Sequence, residues 1–263
     1  MRSASHQRGC GVMPDGSALP KATAINDLAM AERLIVALDV ASIDDAEALV
    51  KRLDGIVSFF KIGLWLQFAP GVERLIDNLI SGGKKVFLDA KMFDIPETVG
   101  HAVAVAARRK VSFITVHGDE RIMRAAIEGK GESDIKVFAV TVLTSLDDAA
   151  LAEMGYGVSA LDLVKMRARK AVECKCDGII ASANDNPNEI RRLANMDSLL
   201  IATPGVRQSQ GEVNDHKRTA TPFEAIRNGA DYLVVGRPII EAGNPVAAAR
   251  SFIEEMEAGK RAV

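Results

Sequence analysis

The chain has 263 residues, 48% of them hydrophobic and 26% charged, with a formal net charge of -2. That is enough for one large α/β domain or two small ones, and the near-zero charge gives no argument for a nucleic-acid surface. Lys, Arg or Asp interrupts the longer apolar stretches, so none reaches the ~18 residues that read as a membrane span.

Residues 1–30 are rich in Gly, Ser and Pro and lack the apolar segment of a signal peptide. They read as a disordered extension ahead of one catalytic domain over 31–263. From residue 33 onward, short β-branched runs alternate with helical patterns. The expected strands are 33–39, 57–62, 85–91, 112–116, 136–142, 177–181, 198–203 and 231–235. The expected helices lie at 43–53, 70–81, 97–109, 119–129, 159–174, 187–196, 222–229 and 244–258. Ser42 is a natural N-cap for the first of these, and Asp44 and Asp45 suit its first turn. Near-continuous apolar strands separated by helices predict a parallel sheet covered on its faces. About eight such units in ~230 residues suit a (β/α)₈ barrel. A doubly wound open sheet is the alternative, but "ALDVASIDD" stands where its G-x-G-x-x-G would follow the first strand.

The three cysteines, Cys10, Cys174 and Cys176, form neither a disulfide framework nor a zinc motif. They suit a reducing, cytoplasmic setting. Residues 204–220 show no helical or strand period. A loop this long in a compact domain is usually functional or disordered, and after a seventh barrel strand it falls where phosphate-binding loops occur.

Catalytic side chains of parallel barrels sit at the C-terminal strand ends. Here those ends carry Asp39, Lys61, Asp89, Lys91 and Arg237, with His117, Thr144 and Ser145 after the fourth and fifth strands. Asp89 and Lys91 are two apart, so a regular strand points both to one side with Cβ atoms about 7 Å apart. Lys61 on the neighbouring strand completes an alternating cluster whose charges offset one another's burial. Gly236 allows close backbone approach, and Arg237 and Arg207 offer forked contacts to a phosphate. Blander readings also fit: a structural ion pair for Asp89 and Lys91, a turn for Asp39, exposed loop arginines, and a hydrogen-bonded strand-end histidine for His117.

"FLDAKMFDIPETV" resembles the third-strand signature of the orotidine 5'-phosphate decarboxylase family. "LIVALDV", "FFKIGL", "TVLTS", "TPGVR" and "DYLVVGRPI" resemble that family's other blocks in the same order. The resemblance implies a homodimeric (β/α)₈ barrel that converts orotidine 5'-phosphate to UMP and CO₂ without metal or organic cofactor. It implies a catalytic network of Lys61, Asp89, Lys91 and Asp94, with Lys91 delivering the proton to C6. Asp94, Ile95 and Thr98 would reach the neighbouring subunit's site. Asp39 and Lys61 would hold the ribose hydroxyls, Thr144 the pyrimidine, and Arg207, Gly236 and Arg237 the phosphate. Two departures stand out. "NDHKR" puts His216 where the family's lid usually has Gln, and imidazole charge varies with pH. "GDERI" replaces the small residues common after His117, which is left out of the catalytic set.

Two rivals remain at this point. One is a metal-dependent sugar-phosphate decarboxylase or aldolase of the same superfamily, which needs a carboxylate where Lys61 stands. The other is a non-catalytic nucleotide-binding barrel.

Overall fold

The structure, a computed structural model, describes residues 28–194, 198–208 and 220–262. It opens with α1 (Met30–Arg33), β1 (Leu34–Ala37), α2 (Ile43–Arg52), β2 (Phe59–Ile62), α3 (Leu64–Gln67) and α4 (Val72–Ser81). β3 (Lys85–Met92), α5 (Pro96–Arg108), β4 (Phe113–His117), α6 (Glu120–Lys130) and β5 (Lys136–Val140) follow. The second half holds α7 (Asp148–Glu153), α8 (Ala160–Glu173), β6 (Gly178–Ile180) and α9 (Pro187–Ala194). It ends with β7 (Leu200–Pro204), α10 (Pro222–Arg227), β8 (Tyr232–Val235), α11 (Arg237–Ile240) and α12 (Pro245–Arg261).

The eight strands pair in sequence order and β8 closes onto β1, all parallel. This is the (β/α)₈ barrel, and the closure rules out the open doubly wound sheet. Every strand falls within two residues of its expected bounds. The four short helices α1, α3, α7 and α11 were not expected, because four to six residues are too few to show a helical period. α3 and α11 directly follow β2 and β8 and so flank the C-terminal mouth. Among the described residues, no helix is long and apolar enough to cross a membrane.

Local chemistry supports these boundaries. Ser42 Oγ accepts the Asp45 N–H at 3.1 Å to start α2. Thr221 and Glu224 form a reciprocal capping box at α10. Outward strand residues such as Phe60, Val86 and Ile114 pack under the helices. Inward residues form a second core inside the barrel, with Phe59, Phe87, Phe113, Phe138 and Tyr232 at its centre. The Phe59 and Phe113 rings meet edge to face at 4.8 Å, and Phe113 and Tyr232 at 5.1 Å. This aromatic layer is the floor on which the charged mouth is built.

Candidate active site

Side chains two apart on a strand share a face. One step toward the C-terminal mouth from Phe59, Phe87 and Phe113 therefore stand Lys61, Asp89 and Thr115, and one step beyond Ala37 stands Asp39. An apolar layer is thus followed by a polar one on four adjacent strands. Lys61 is 8% exposed, and its Nζ lies 3.2 Å from Asp89 Oδ2 and 3.4 Å from Asp39 Oδ1. Lys91 Nζ donates to Asp89 Oδ1 at 2.8 Å. The expected Lys–Asp–Lys alternation is therefore assembled, with Asp39 at one end.

The strand carrying it is not regular. Leu88 pairs with Ile114 and Met92 with Val116, so β3 bulges between them. Lys91 adopts φ +46°, the left-handed region, where a non-glycine residue costs about 1–2 kcal/mol. The strand between Asp89 and Lys91 is therefore not the regular one that their spacing predicts. Across this bulge the Lys91 ammonium meets the Asp89 carboxylate.

Burial alone would raise the Asp89 carboxyl. The Lys61 and Lys91 ammonium groups, with hydrogen bonds from Lys91 and Thr115, outweigh it and hold the group below its ordinary value. Asp89 is therefore a fixed negative charge between two positive ones.

The cluster lies against two neighbouring cavities. One, of about 480 Å³, is lined by Asp39, Lys61, Trp65, Arg207, Gly236 and Arg237. The other, of about 200 Å³, is lined by Lys91, Thr144 and apolar residues including Val142, Leu143 and Ile180. Lys61, Asp89, Pro204 and Val234 line both. The first is lined by two arginines and by Glu241, while the second is smaller and mostly apolar. A Cβ on Gly63 would stand 2.7 Å from Asp39 Oδ1, and one on Gly236 3.2 Å from Asp39 Oδ2. Both glycines let the backbone close around that carboxylate.

Not every predicted residue joins the cluster. Asp94 is exposed, and its Oδ1 accepts the Ile95 N–H at 2.6 Å. Ile95 is 68% exposed and Thr98 lies on the exposed face of α5. Within one chain, none of these three lines either cavity. His216 lies outside the described residues. His117 packs its ring 4.3 Å from that of Phe93, and its buried Nδ1 has no hydrogen-bond partner among the described residues. Burial, then the Arg167 guanidinium, lower its imidazole's proton affinity.

Thr115, Gly63 and Trp65 were missed from the sequence. A hydroxyl at an inward position of an otherwise apolar strand was the available signal for Thr115. Gly63 had the weaker signal of a glycine just past a strand end. Trp65, the only tryptophan of the chain, donates its indole N–H to the Val40 carbonyl at 3.0 Å.

Barrel and mouth together define the class: a (β/α)₈ barrel whose C-terminal end presents alternating ammonium and carboxylate groups to a cavity of small-molecule size. A sequence model of the orotidine 5'-phosphate decarboxylase / HUMPS family matches residues 32–252, and the chain belongs to that family. It is 53% identical over 231 residues to an orotidine 5'-phosphate decarboxylase of Nitrobacter winogradskyi, covering 88% of this chain and 95% of that one. It is 46% identical to the Caulobacter vibrioides protein of the same name, over 85% of this chain and 97% of the other. The crystal structure of orotidine 5'-phosphate decarboxylase from Lactobacillus acidophilus matches with a TM-score of 0.75 and 32% identity, covering 86% of this chain and 100% of that one.

Proposed function

We propose that this chain is an orotidine 5'-phosphate decarboxylase, a carboxy-lyase that forms UMP and CO₂ in pyrimidine nucleotide synthesis. The observation that carries the reading is the Lys61–Asp89–Lys91 cluster, shared between a cavity lined by two arginines and a smaller, largely apolar one. The first suits a ribose phosphate: Asp39 and Lys61 take the hydroxyls, and Arg207, Arg237 and the Gly236 backbone take the phosphate. The second suits a pyrimidine beside Thr144.

Loss of CO₂ leaves a carbanion-like centre at C6 of the ring. Preorganised charge must stabilise it. Lys91 supplies that charge and then gives its proton to C6. Asp89 faces the departing carboxylate, and Lys61 holds Asp89 in place. Repulsion between two like charges ~4 Å apart at an effective dielectric of ~20 is about 4 kcal/mol. Enzymes lower barriers by ~8–23 kcal/mol. Repulsion is thus a minority contribution, and the ammonium together with binding energy from the phosphate carries more.

Asp94, Ile95 and Thr98 are assigned to the partner subunit's site in a homodimer. Exposed Phe93 and Ile95, at 67% and 68%, support an apolar contact there. A solution mass equal to one chain would remove this part of the reading. The donor set supports metal independence. A divalent cation held by Asp39 and Asp89 would meet the Lys61 ammonium, which already lies within 3.4 Å of both. The same argument disfavours the metal-dependent sugar-phosphate rival. The deciding assay adds orotidine 5'-phosphate in excess EDTA and follows loss of its absorbance. Steady turnover is expected; activity restored only by Mg²⁺, or UMP binding without turnover, would overturn the proposal.

A further inference from the structure

Two contacts at the bulge in β3 come from outside the Lys/Asp cluster. The Lys91 N–H is bonded to a side chain rather than to a ladder carbonyl, and Asp89 Oδ1 takes a second donor beside the Lys91 ammonium. One side chain makes both. Thr115 Oγ1 accepts the Lys91 N–H at 3.0 Å and donates to Asp89 Oδ1 at 2.9 Å. Thr115 is fully buried, on β4 opposite the bulge. Its neighbours along the inward face are Phe113 below and His117 above. A hydroxyl is the smallest group that can accept one hydrogen bond and donate another. Valine has nearly the same shape but can do neither.

We infer that Thr115 is a positioning residue for decarboxylation. It pins the backbone of Lys91 in its left-handed conformation and fixes the Asp89 carboxylate, so that the Lys91 ammonium meets the reacting carbon in one geometry. It lines neither cavity and acts through Lys91 and Asp89. This inference rests on the decarboxylase reading for its rate consequence, but its structural half, the state of Asp89, can be read without turnover.

The test compares Thr115→Val with Thr115→Ser. Loss of one buried hydrogen-bond partner, about 2 kcal/mol, predicts that Thr115→Val lowers kcat roughly thirtyfold. KM should stay within about threefold, and UMP binding, followed by Trp65 fluorescence at the cavity wall, should be retained. Thr115→Ser keeps the hydroxyl and should keep kcat within about threefold of wild type. In Thr115→Val the Asp89 carboxyl also loses a bond that favours its charged form, so its pKa in a ¹³C-carboxyl titration should rise and the acid limb of kcat should move to higher pH. If Thr115→Val does not fold, Thr115→Ala, which removes the same hydroxyl with less crowding, takes its place with the same expectations. Wild-type kcat in the hydroxyl-free variant overturns the inference. Equal losses in the Ser and Val variants also overturn it, because keeping the hydroxyl would then not preserve kcat. A wild-type protein without turnover would instead reject the decarboxylase reading, and the Asp89 titration would then decide the role of Thr115: an unchanged pKa in the hydroxyl-free variant overturns it, a raised one supports it.

Discussion

Asp231 at the N-terminal end of the barrel and Asp89 at the C-terminal end are almost equally buried, with side chains 10% and 12% exposed. Their surroundings differ in kind. Asp231 pairs with Arg191 and accepts the Ile201 N–H at 2.7 Å. Arg191 goes on to the carbonyls of Leu199 and Gly229, at 2.9 and 2.7 Å, and Arg33 holds those of Ala230 and Asp231, at 2.9 and 2.6 Å. The charges at this end terminate in backbone and tie α1, α9 and the starts of β7 and β8 together. At the other end, among the described residues, Lys61 and Lys91 donate to carboxylates and to no backbone carbonyl. Lys91 keeps 42% of its side chain exposed, with donors left over for a ligand. A closed charge cluster of the first kind suits holding the fold; an open one of the second kind suits the proposed chemistry.

That contrast is tested most strongly at Lys91. Lys91→Ala should lower kcat more than about a thousandfold, ~4 kcal/mol of barrier, while the melting temperature moves by no more than about 3 °C. Kinetics with orotidine 5'-phosphate beside a thermal melt read both quantities. Retention of more than about a tenth of the rate would remove Lys91 as proton donor. The opposite end should behave in reverse. Asp231→Ala strands Arg191 without its carboxylate, and breaking a buried pair costs ~3–5 kcal/mol of stability. A drop of about 10 °C in melting temperature with kcat within twofold is the expected result. A variant that melts like wild type but turns over slowly would erase the distinction between the two ends.

The sequence made these two ends unequally legible. All eight strands were readable as short apolar runs, because a barrel strand is buried on both faces and its composition betrays it. The polar layer was readable too, since Lys61 and Asp89 break apolar runs two residues past a phenylalanine. The bulge was not. "LDAKM" reads as an ordinary strand, and nothing in five residues announces that Lys91 will take a left-handed backbone. Thr115 was hidden for the same reason: its importance depends on a register shift in the neighbouring strand. The roles proposed for Asp94, Ile95 and Thr98 require a second copy of the chain, which no local pattern encodes. The Asp231 cluster escaped notice because its partners, Arg33 and Arg191, are far away in sequence and meet only when the barrel closes.

The smallest expected effect is also the one that sets the two carboxylates most directly against each other. The Asp89 pKa is lowered in the folded chain, whereas burial raises that of Asp231 even with Arg191 and the Ile201 N–H opposing it. Below the ordinary aspartate value of about 3.9, the unfolded chain holds more protons at Asp89 than the native one does. The stability from Asp89 is therefore fully present above that value and lost as pH falls through the lowered pKa. At Asp231 the native state holds the extra proton, between about 3.9 and the raised value, so that contribution declines as pH rises through the same interval. Urea unfolding across pH 3–6, for wild type against Asp89→Asn and Asp231→Asn, isolates each slope. The wild-type-minus-variant difference should climb with pH on the acid side for Asp89, and fall with pH for Asp231. Slopes of one sign would mean that both carboxylates are held alike, and that openness to the cavity, rather than the balance of burial against partners, is what separates the two ends.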